Sequence, residues 1–200
     1  MDGEWSKTRG DDSKRFLLYD NGPDTESCIT VFATDDHLKV LSNADVWLMD
    51  GCFKMAPPGF LQYVIHAPIG EVSVPLVYAF LQRKSQETYE ELLNAITNNC
   101  DILGYPVDPA KIKLDFEFSA IQAVRLVLGD GVDIEGCFYH LTQSTWRKIQ
   151  ELGIVNHYRT DPTFKHFCGM LDGLAFLQLM MLGKALNFCV ILHQQLQKSC

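Results

Sequence analysis

Three strand-like runs precede the first long helical pattern of this chain. Residues 44–50, 60–66 and 74–82 are short and rich in aromatic and β-branched side chains, which is typical of strands in a buried sheet. The turn residues Pro68 and Gly70 lie between the second and third runs, and this arrangement is a hairpin signature. The order therefore predicts that the fold opens with three antiparallel strands.

The apolar period changes after Ser85, a candidate helix N-cap. From Tyr89 to Ile96, apolar residues recur at helical spacing. Two further strand-like runs, at residues 111–115 and 132–139, then alternate with helical patterns. Hairpin strands followed by alternating helices and strands predict an α/β fold, in which helices flank a mixed five-stranded sheet.

A single folded domain is expected to occupy residues 29–200. The chain has 200 residues and is 47% hydrophobic, which suffices for one domain with a sizeable core. Residues 1–28 are rich in charged and turn-forming residues and show little periodicity. We therefore expect a poorly ordered polar extension over residues 1–28.

Charge and cysteine content limit the classes of partner and compartment. The formal net charge of -8 argues against a general nucleic-acid-binding surface, but it leaves room for a local basic patch. The seven cysteines are scattered, and the N-terminus is polar and does not resemble a secretory signal. We therefore expect free thiols in a reducing compartment, cytoplasmic or nuclear, and a protein that is not secreted.

Residues 173–193 approach the length of a membrane-spanning helix. They are rich in Leu, Met and Phe, but Gln178, Gly183, Lys184 and Asn187 interrupt the apolar run. Ionisable groups are costly in the middle of a bilayer. The segment is therefore interpreted as a pair of core helices, and no membrane partner is expected.

Two aspartates, Asp50 and Asp115, each lie at the end of a strand-like run. Magnesium and manganese prefer oxygen ligands, and magnesium often needs only one or two protein carboxylates beside water and substrate phosphate. The two aspartates are therefore candidate ligands of a divalent cation. The alternative is that both are ordinary turn residues at strand ends.

Six segments between Phe32 and Leu177 resemble the transposase domain of Mutator-like elements, the MULE domain of the RNase H-like superfamily. They occur in the order found in that family, and their combination is more specific than any one of them. The segments are FATDDHLKVL, DGCFKMAPPGFLQYVIHAPIG, VPLVYAFLQRKSQETYEELL, KIKLDFEFSAIQAV, GCFYHLTQSTWRKIQELGI and DGLAF.

The resemblance implies an RNase H-like fold, a DNA substrate, nuclear residence and a catalytic site of two aspartates and a later glutamate. Asp50 matches the first aspartate and Asp115 the second, with Mg or Mn as the cofactor. A two-metal site of this kind activates a water or a 3′ hydroxyl and stabilises the leaving oxygen. Glu117 lies two residues beyond Asp115 and is interpreted as the polar start of the next helix.

The third acid of the family pattern has no match in this chain. The family places it on a helix after the last core strand, but no glutamate follows Glu151. Asp161 and Asp172 are the remaining acids there, and Asn187, Gln194 and Gln195 occupy the neighbourhood of the expected glutamate. An amide offers an oxygen ligand but carries no charge, so it holds a metal less tightly.

Two functions therefore remain open. The favoured one is a catalytically incomplete, domesticated transposase remnant that acts as a DNA-associated or protein-interaction module. The alternative is an active divalent-metal-dependent transposase or nuclease that cuts and joins DNA phosphodiesters through Asp50 and Asp115.

Cys137 and His140 match a Cys-x-x-His feature that such transposases carry between their second and third acids. A structural zinc usually has four ligands, and the remaining Cys and His residues show no regular second pair. Cys137 also falls in an apolar strand-like run. A thiol packed in the core is therefore favoured over a zinc site.

Overall fold

The computed structural model describes Gly3, residues 6–52 and residues 54–177. The chain divides into two compact units, Met1–Gly136 and Cys137–Cys200. This division differs from the single domain over residues 29–200 that the sequence suggested. Each unit is described separately below.

The first unit is built around one mixed β-sheet. Within the described residues the sheet has seven strands in the order β1-β2-β5-β4-β3-β6-β7. The elements in chain order are β1 (Leu17–Asp20), β2 (Ile29–Phe32), α1 (Asp35–Ser42), β3 (Val46–Cys52), β4 (Leu61–Ile69), β5 (Val72–Leu81), α2 (Gln86–Ile102), β6 (Lys111–Leu114), α3 (Phe118–Leu128) and β7 (Asp133–Gly136).

Strands β3, β4 and β5 form the predicted antiparallel meander. The hairpin between β4 and β5 turns at Gly70, whose φ of 61° lies in the region that favours glycine. Helix α2 then crosses over to β6, which pairs parallel to β3, and β7 pairs parallel to β6. The predicted hairpin, crossover helix and α/β class are confirmed.

The predicted number of five strands is wrong, because β1 and β2 extend the sheet beyond β5. Strand β2 pairs antiparallel with β5, and β1 pairs antiparallel with β2. Leu17–Asp20, which lies within the segment expected to be a polar extension, forms β1. Each of these strands has only four residues, which is too short for a clear alternating pattern.

One face of the sheet is more completely buried than the other. In β3, Trp47 and Met49 are buried, whereas Leu48 is half-buried and Asp50 is exposed. The buried face packs against the apolar side of α2 in one continuous core. Because side chains alternate along a strand, Asp50 lies on the less covered face of the sheet.

Ion pairs connect the last two strands of the sheet on that less covered face. Lys111 of β6 forms ion pairs with Asp133 and Glu135 of β7, and Lys113 forms another with Glu135. The strand register explains the pairs, since Lys111 lies opposite Asp133 and Lys113 opposite Glu135. Strand β7 therefore presents charged side chains at this edge of the sheet.

The predicted fifth strand is shorter than expected. Strand β7 ends at Gly136, Cys137 is the N-cap of the next helix, and Phe138 and Tyr139 are helical. The prediction of a strand over residues 132–139 is thus wrong for its last three residues. A short apolar run does not by itself distinguish a strand from the start of an amphipathic helix.

The second unit is helical over its described residues. It contains α4 (Phe138–Glu151), α5 (Val155–Thr160), α6 (Pro162–Gly173) and a 3-10 turn at Leu174–Phe176. Helix α6 begins where Asp161 accepts hydrogen bonds from the backbone N–H groups of Thr163 and Phe164, with Pro162 following as the first helical residue.

The predicted helix pair over residues 173–193 begins in the described part of this unit, but residues 178–193 lie outside the described residues. Among the residues that the structure describes, no helix has both the length and the apolar character needed to cross a bilayer.

Replacing Trp47 by Phe tests the core under β3. The Trp47 side chain is fully buried, and its Nε1 donates a hydrogen bond of 3.0 Å to the carbonyl oxygen of Leu41. We expect Trp47→Phe to lower the free energy of unfolding by about 2–4 kcal/mol, because it leaves a cavity and removes the hydrogen bond. Urea denaturation measures the change.

The control for this experiment is Ile102→Ala, because Ile102 is 82% exposed. It is expected to change the free energy of unfolding by about 0.5 kcal/mol or less. Equal losses for the two variants would contradict the position assigned to Trp47.

Candidate functional site

The two predicted aspartates lie on neighbouring parallel strands. Strands β3 and β6 pair with Leu48 opposite Lys113. Extending this register by two residues brings Asp50 level with Asp115, which directly follows β6. Neighbouring strands are about 4.8 Å apart, and Asp115 lies one residue beyond the end of β6. The sheet topology thus puts Asp50 and Asp115 toward the same end of two neighbouring strands.

Backbone N–H groups orient both carboxylates. Oδ1 of Asp50 accepts a hydrogen bond of 2.9 Å from the N–H of Gly51, and Oδ1 of Asp115 accepts one of 3.2 Å from the N–H of Glu117. Asp50 is exposed and Asp115 is half-buried. Both carboxylates are therefore accessible from solvent, and each is oriented by a backbone N–H group close to it in the chain.

Glu117 contributes a third carboxylate to this edge of the sheet. Its Oε2 forms an ion pair of 2.6 Å with Nζ of Lys84, and its Oε1 accepts a hydrogen bond of 3.0 Å from the Tyr89 hydroxyl. The Glu117 side chain is only 16% exposed. The sequence favoured Glu117 as the polar start of the next helix over a position on the same side as Asp115, and Glu117 is the N-cap of α3. Lys84 lies in the connection between β5 and α2, and Tyr89 lies in α2.

The Tyr63 hydroxyl of β4 lies near all three carboxylates. Burial raises the pKa of Tyr63 well above its usual value, and the negative charges of Asp115, Glu117 and Asp50 raise it further. The hydroxyl is buried and has no hydrogen-bond partner among the described residues. We refer to Asp50, Asp115 and Glu117 as the acid cluster. No sequence signal pointed to Tyr63 as its neighbour.

The two tyrosines beside the acid cluster pack against each other. The ring centroids of Tyr63 and Tyr89 are 5.1 Å apart. Burial also raises the pKa of Tyr89, with Tyr63, Glu117 and Asp115 adding to the effect. Both hydroxyls therefore stay protonated at neutral pH and can serve as hydrogen-bond donors. Among the described residues, the Tyr89 hydroxyl has an acceptor, Glu117, and the Tyr63 hydroxyl has none.

The acid cluster fits a hydrated divalent cation better than a fully protein-enclosed one. In the described part of the chain, no group of three or more His, Cys, Asp or Glu side chains is arranged to hold a metal ion. Magnesium keeps several water ligands and commonly binds through one or two carboxylates. Asp50 and Asp115 are the residues that would hold such an ion, and Glu117 is already bound to Lys84.

The Cys-x-x-His feature lies at the start of α4. Cys137 is the helix N-cap and His140 follows in the first turn, and both side chains are half-buried. The expectation that Cys137 packs within a strand is wrong, because β7 ends one residue earlier. Within the described residues these two side chains belong to no group of three potential metal ligands.

The remaining candidates for the third acid have local structural partners. Asp172 accepts a hydrogen bond of 2.6 Å from the Thr145 hydroxyl, which connects α6 with α4. Hydrogen bonds from the backbone of Phe164 and Thr163 lower the pKa of Asp161, the N-cap of α6. The other three candidates, Asn187, Gln194 and Gln195, lie outside the described residues.

No protein-family model matches this chain, and no curated protein sequence matches it at a significant level. The fold and the acid cluster are therefore the features that bear on function. They define an α/β protein with a mixed sheet, in which Asp50 lies near the end of β3 and Asp115 directly follows the neighbouring parallel strand β6.

Two matched substitutions test the hydrogen bonding at the acid cluster. Tyr63→Phe removes a buried hydroxyl that has no partner among the described residues, so we expect it to raise the free energy of unfolding by about 1 kcal/mol. Tyr89→Phe removes the donor to Glu117, so we expect a loss of about 1–3 kcal/mol. Urea denaturation without divalent cations measures both.

The two substitutions are expected to change the free energy of unfolding in opposite directions, so comparing them is informative. A loss of stability in Tyr63→Phe as large as that in Tyr89→Phe would mean that the Tyr63 hydroxyl has an acceptor after all. The arrangement described for the acid cluster would then be incorrect.

Proposed function

We propose that this chain is a transposase-derived domain of the RNase H-like type, resembling the MULE domain, which binds a divalent cation and associates with DNA without cutting it. The observation that carries the proposal is the strand arrangement. Strands β5, β4 and β3 are antiparallel neighbours, β6 and β7 follow in parallel, and Asp50 lies in β3 while Asp115 directly follows β6.

An antiparallel meander followed by two parallel strands supports the proposal, and β1 and β2 extend the sheet beyond β5. The chain differs from an active enzyme of this type in lacking a match to the third acid. Two-metal phosphoryl transfer stabilises both the attacking and the leaving oxygen, and this needs more metal-binding charge than two aspartates provide. Glu117, the nearest further carboxylate, has both oxygens engaged by Lys84 and Tyr89. A noncatalytic remnant or domesticated module is therefore the better description.

A bound cation would also explain how an acidic chain could contact DNA. The net charge is -8, and several basic side chains of the described residues already pair with acids, as Arg83 does with Glu26 and Lys148 with Glu151. Magnesium bound to one or two carboxylates can take a substrate phosphate as a further ligand. DNA association would then depend on the cation, and the site of action would be nuclear.

Isothermal titration calorimetry with Mg²⁺ and Mn²⁺ tests the cation site. We expect the wild-type chain to bind a cation, and we expect Asp50→Asn and Asp115→Asn each to lower the affinity by about tenfold or more, since each removes a charged ligand. Asp108→Asn is the matched control, because Asp108 is exposed and lies outside the acid cluster. Binding that persists unchanged in both cluster variants would refute the site.

Fluorescence anisotropy with labelled duplex and single-stranded oligonucleotides tests the association with DNA. Binding at low ionic strength should require Mg²⁺, disappear on chelation and be lost in Asp50→Asn. The same oligonucleotides report on cleavage and joining. Cleavage by the wild type that both aspartate variants abolish would establish the alternative function, an active metal-dependent transposase or nuclease.

A further inference from the structure

A polar groove of about 420 Å³ lies along α2, and no member of the acid cluster lines it. We call it the α2 groove. Its lining includes the carboxylates of Glu87, Glu90 and Glu91, and Tyr19 of β1 lines it as well. The three glutamates are separated by one, three and four positions, so they lie on the same side of the helix. The α2 groove is therefore strongly acidic.

The negative charge of these glutamates is not neutralised within the described part of the chain. Their hydrogen-bond donors there are neutral, namely the hydroxyls of Tyr19 and Ser85 and the amides of Asn21 and Gln86. The hydrogen bond to Glu91, together with burial, raises the pKa of Tyr19 to about 12, so this hydroxyl stays uncharged. Arg15 contacts Asn99 of the groove but forms its ion pair with Asp35.

Like charges at this helical spacing repel each other, so a positively charged ligand would relieve the repulsion. Among the residues that the structure describes, no three acids are arranged to hold a metal ion. The α2 groove therefore favours an organic cation, such as a lysine or arginine side chain, over a bare metal ion.

The amides of the α2 groove have a spacing that suits an extended peptide. Asn94 and Asn98 both line the groove and are exposed. Four residues of a helix rise by about 6 Å, and two residues of an extended chain advance by about 6.6 Å. A carboxamide has both a donor and an acceptor, so each asparagine can pair with a peptide group. Glu90, four residues before Asn94, continues the same spacing along the helix.

We propose that the α2 groove binds an extended basic segment of a partner protein. The amides of Asn94 and Asn98 hold its main chain, and the three glutamates receive its lysine or arginine side chains. Main-chain contacts that provide affinity and side-chain contacts that provide specificity are a general mode of peptide recognition. The inference goes beyond the proposed function, because it concerns a different surface and a different partner.

Fluorescence anisotropy with the whole chain and a labelled hexapeptide tests the charge requirement. The probe has lysine at every second position and serine between, and a matched peptide has glutamine in place of lysine. We expect only the lysine peptide to bind. Glu87→Gln and Glu90→Gln should each lower its affinity about fivefold or more. Glu71→Gln, an equal change of charge at the exposed turn between β4 and β5, should change it by about twofold or less.

A second set of measurements tests the main-chain contacts. Asn94→Ala combined with Asn98→Ala leaves the net charge unchanged and should lower the affinity about fivefold or more. The same lysine peptide with methylated main-chain nitrogens should also bind more weakly to the wild type. Spermine, a cation without peptide groups, should compete poorly with the peptide. Both asparagines are exposed, so thermal unfolding of the double variant should match that of the wild type.

Three outcomes would overturn the proposal. The first is a wild type that does not bind the lysine peptide at low ionic strength. The second is an equal loss in Glu71→Gln and Glu90→Gln, which would show a general attraction to the acidic chain. The third is full affinity in the asparagine double variant with equally tight binding of spermine, which would assign the α2 groove to small organic cations. None of these outcomes bears on the cation site at Asp50 and Asp115.

Discussion

The parallel pairing of β3 with β6 is the constraint on which the candidate site depends. Asp50 and Asp115 are far apart in the sequence, and the pairing of these two strands puts both toward the same end of the sheet. Core packing fixes the register of this pairing, because Trp47 of β3 and Ile112 of β6 lie opposite each other and both are fully buried. A shift of one residue would turn these apolar side chains toward the less covered face. Core packing and site geometry are thus set by the same alignment.

The acid cluster combines two kinds of environment at one sheet edge. Asp50 is exposed to water, whereas Glu117 is nearly buried and has both oxygens occupied. The surroundings differ in what they leave open: Asp50 and Asp115 are accessible from solvent, whereas both oxygens of Glu117 are held by Lys84 and Tyr89. The tyrosines beneath them keep their protons because burial raises the pKa of each. The acid cluster is therefore accessible to solvent at Asp50 and occupied by protein partners at Glu117.

Features with a long, regular period could be predicted from the sequence, and features that depend on distant partners could not. The β4–β5 hairpin and α2 each carry a clear alternation or helical repeat, and both were found where expected. The four-residue strands β1 and β2 gave no such signal, because their pairing with β5 stabilises them. The two aspartates could be singled out from the sequence because each lies at the end of an apolar run. The contacts of Glu117 with Lys84 and Tyr89 join residues 33 and 28 positions apart, and no local pattern reports them.

The charged side chains of β7 have a consequence for the behaviour of the chain in concentrated solution. A strand at the edge of a sheet offers unpaired backbone groups to which a strand of another molecule can add. Asp133 and Glu135, held by Lys111 and Lys113, place charge along this edge, so an approaching copy of β7 would meet carboxylates of like sign. At the opposite end of the sheet, β1 is only four residues long. Both borders of the sheet thus discourage the edge-to-edge addition that leads to fibrillar aggregates.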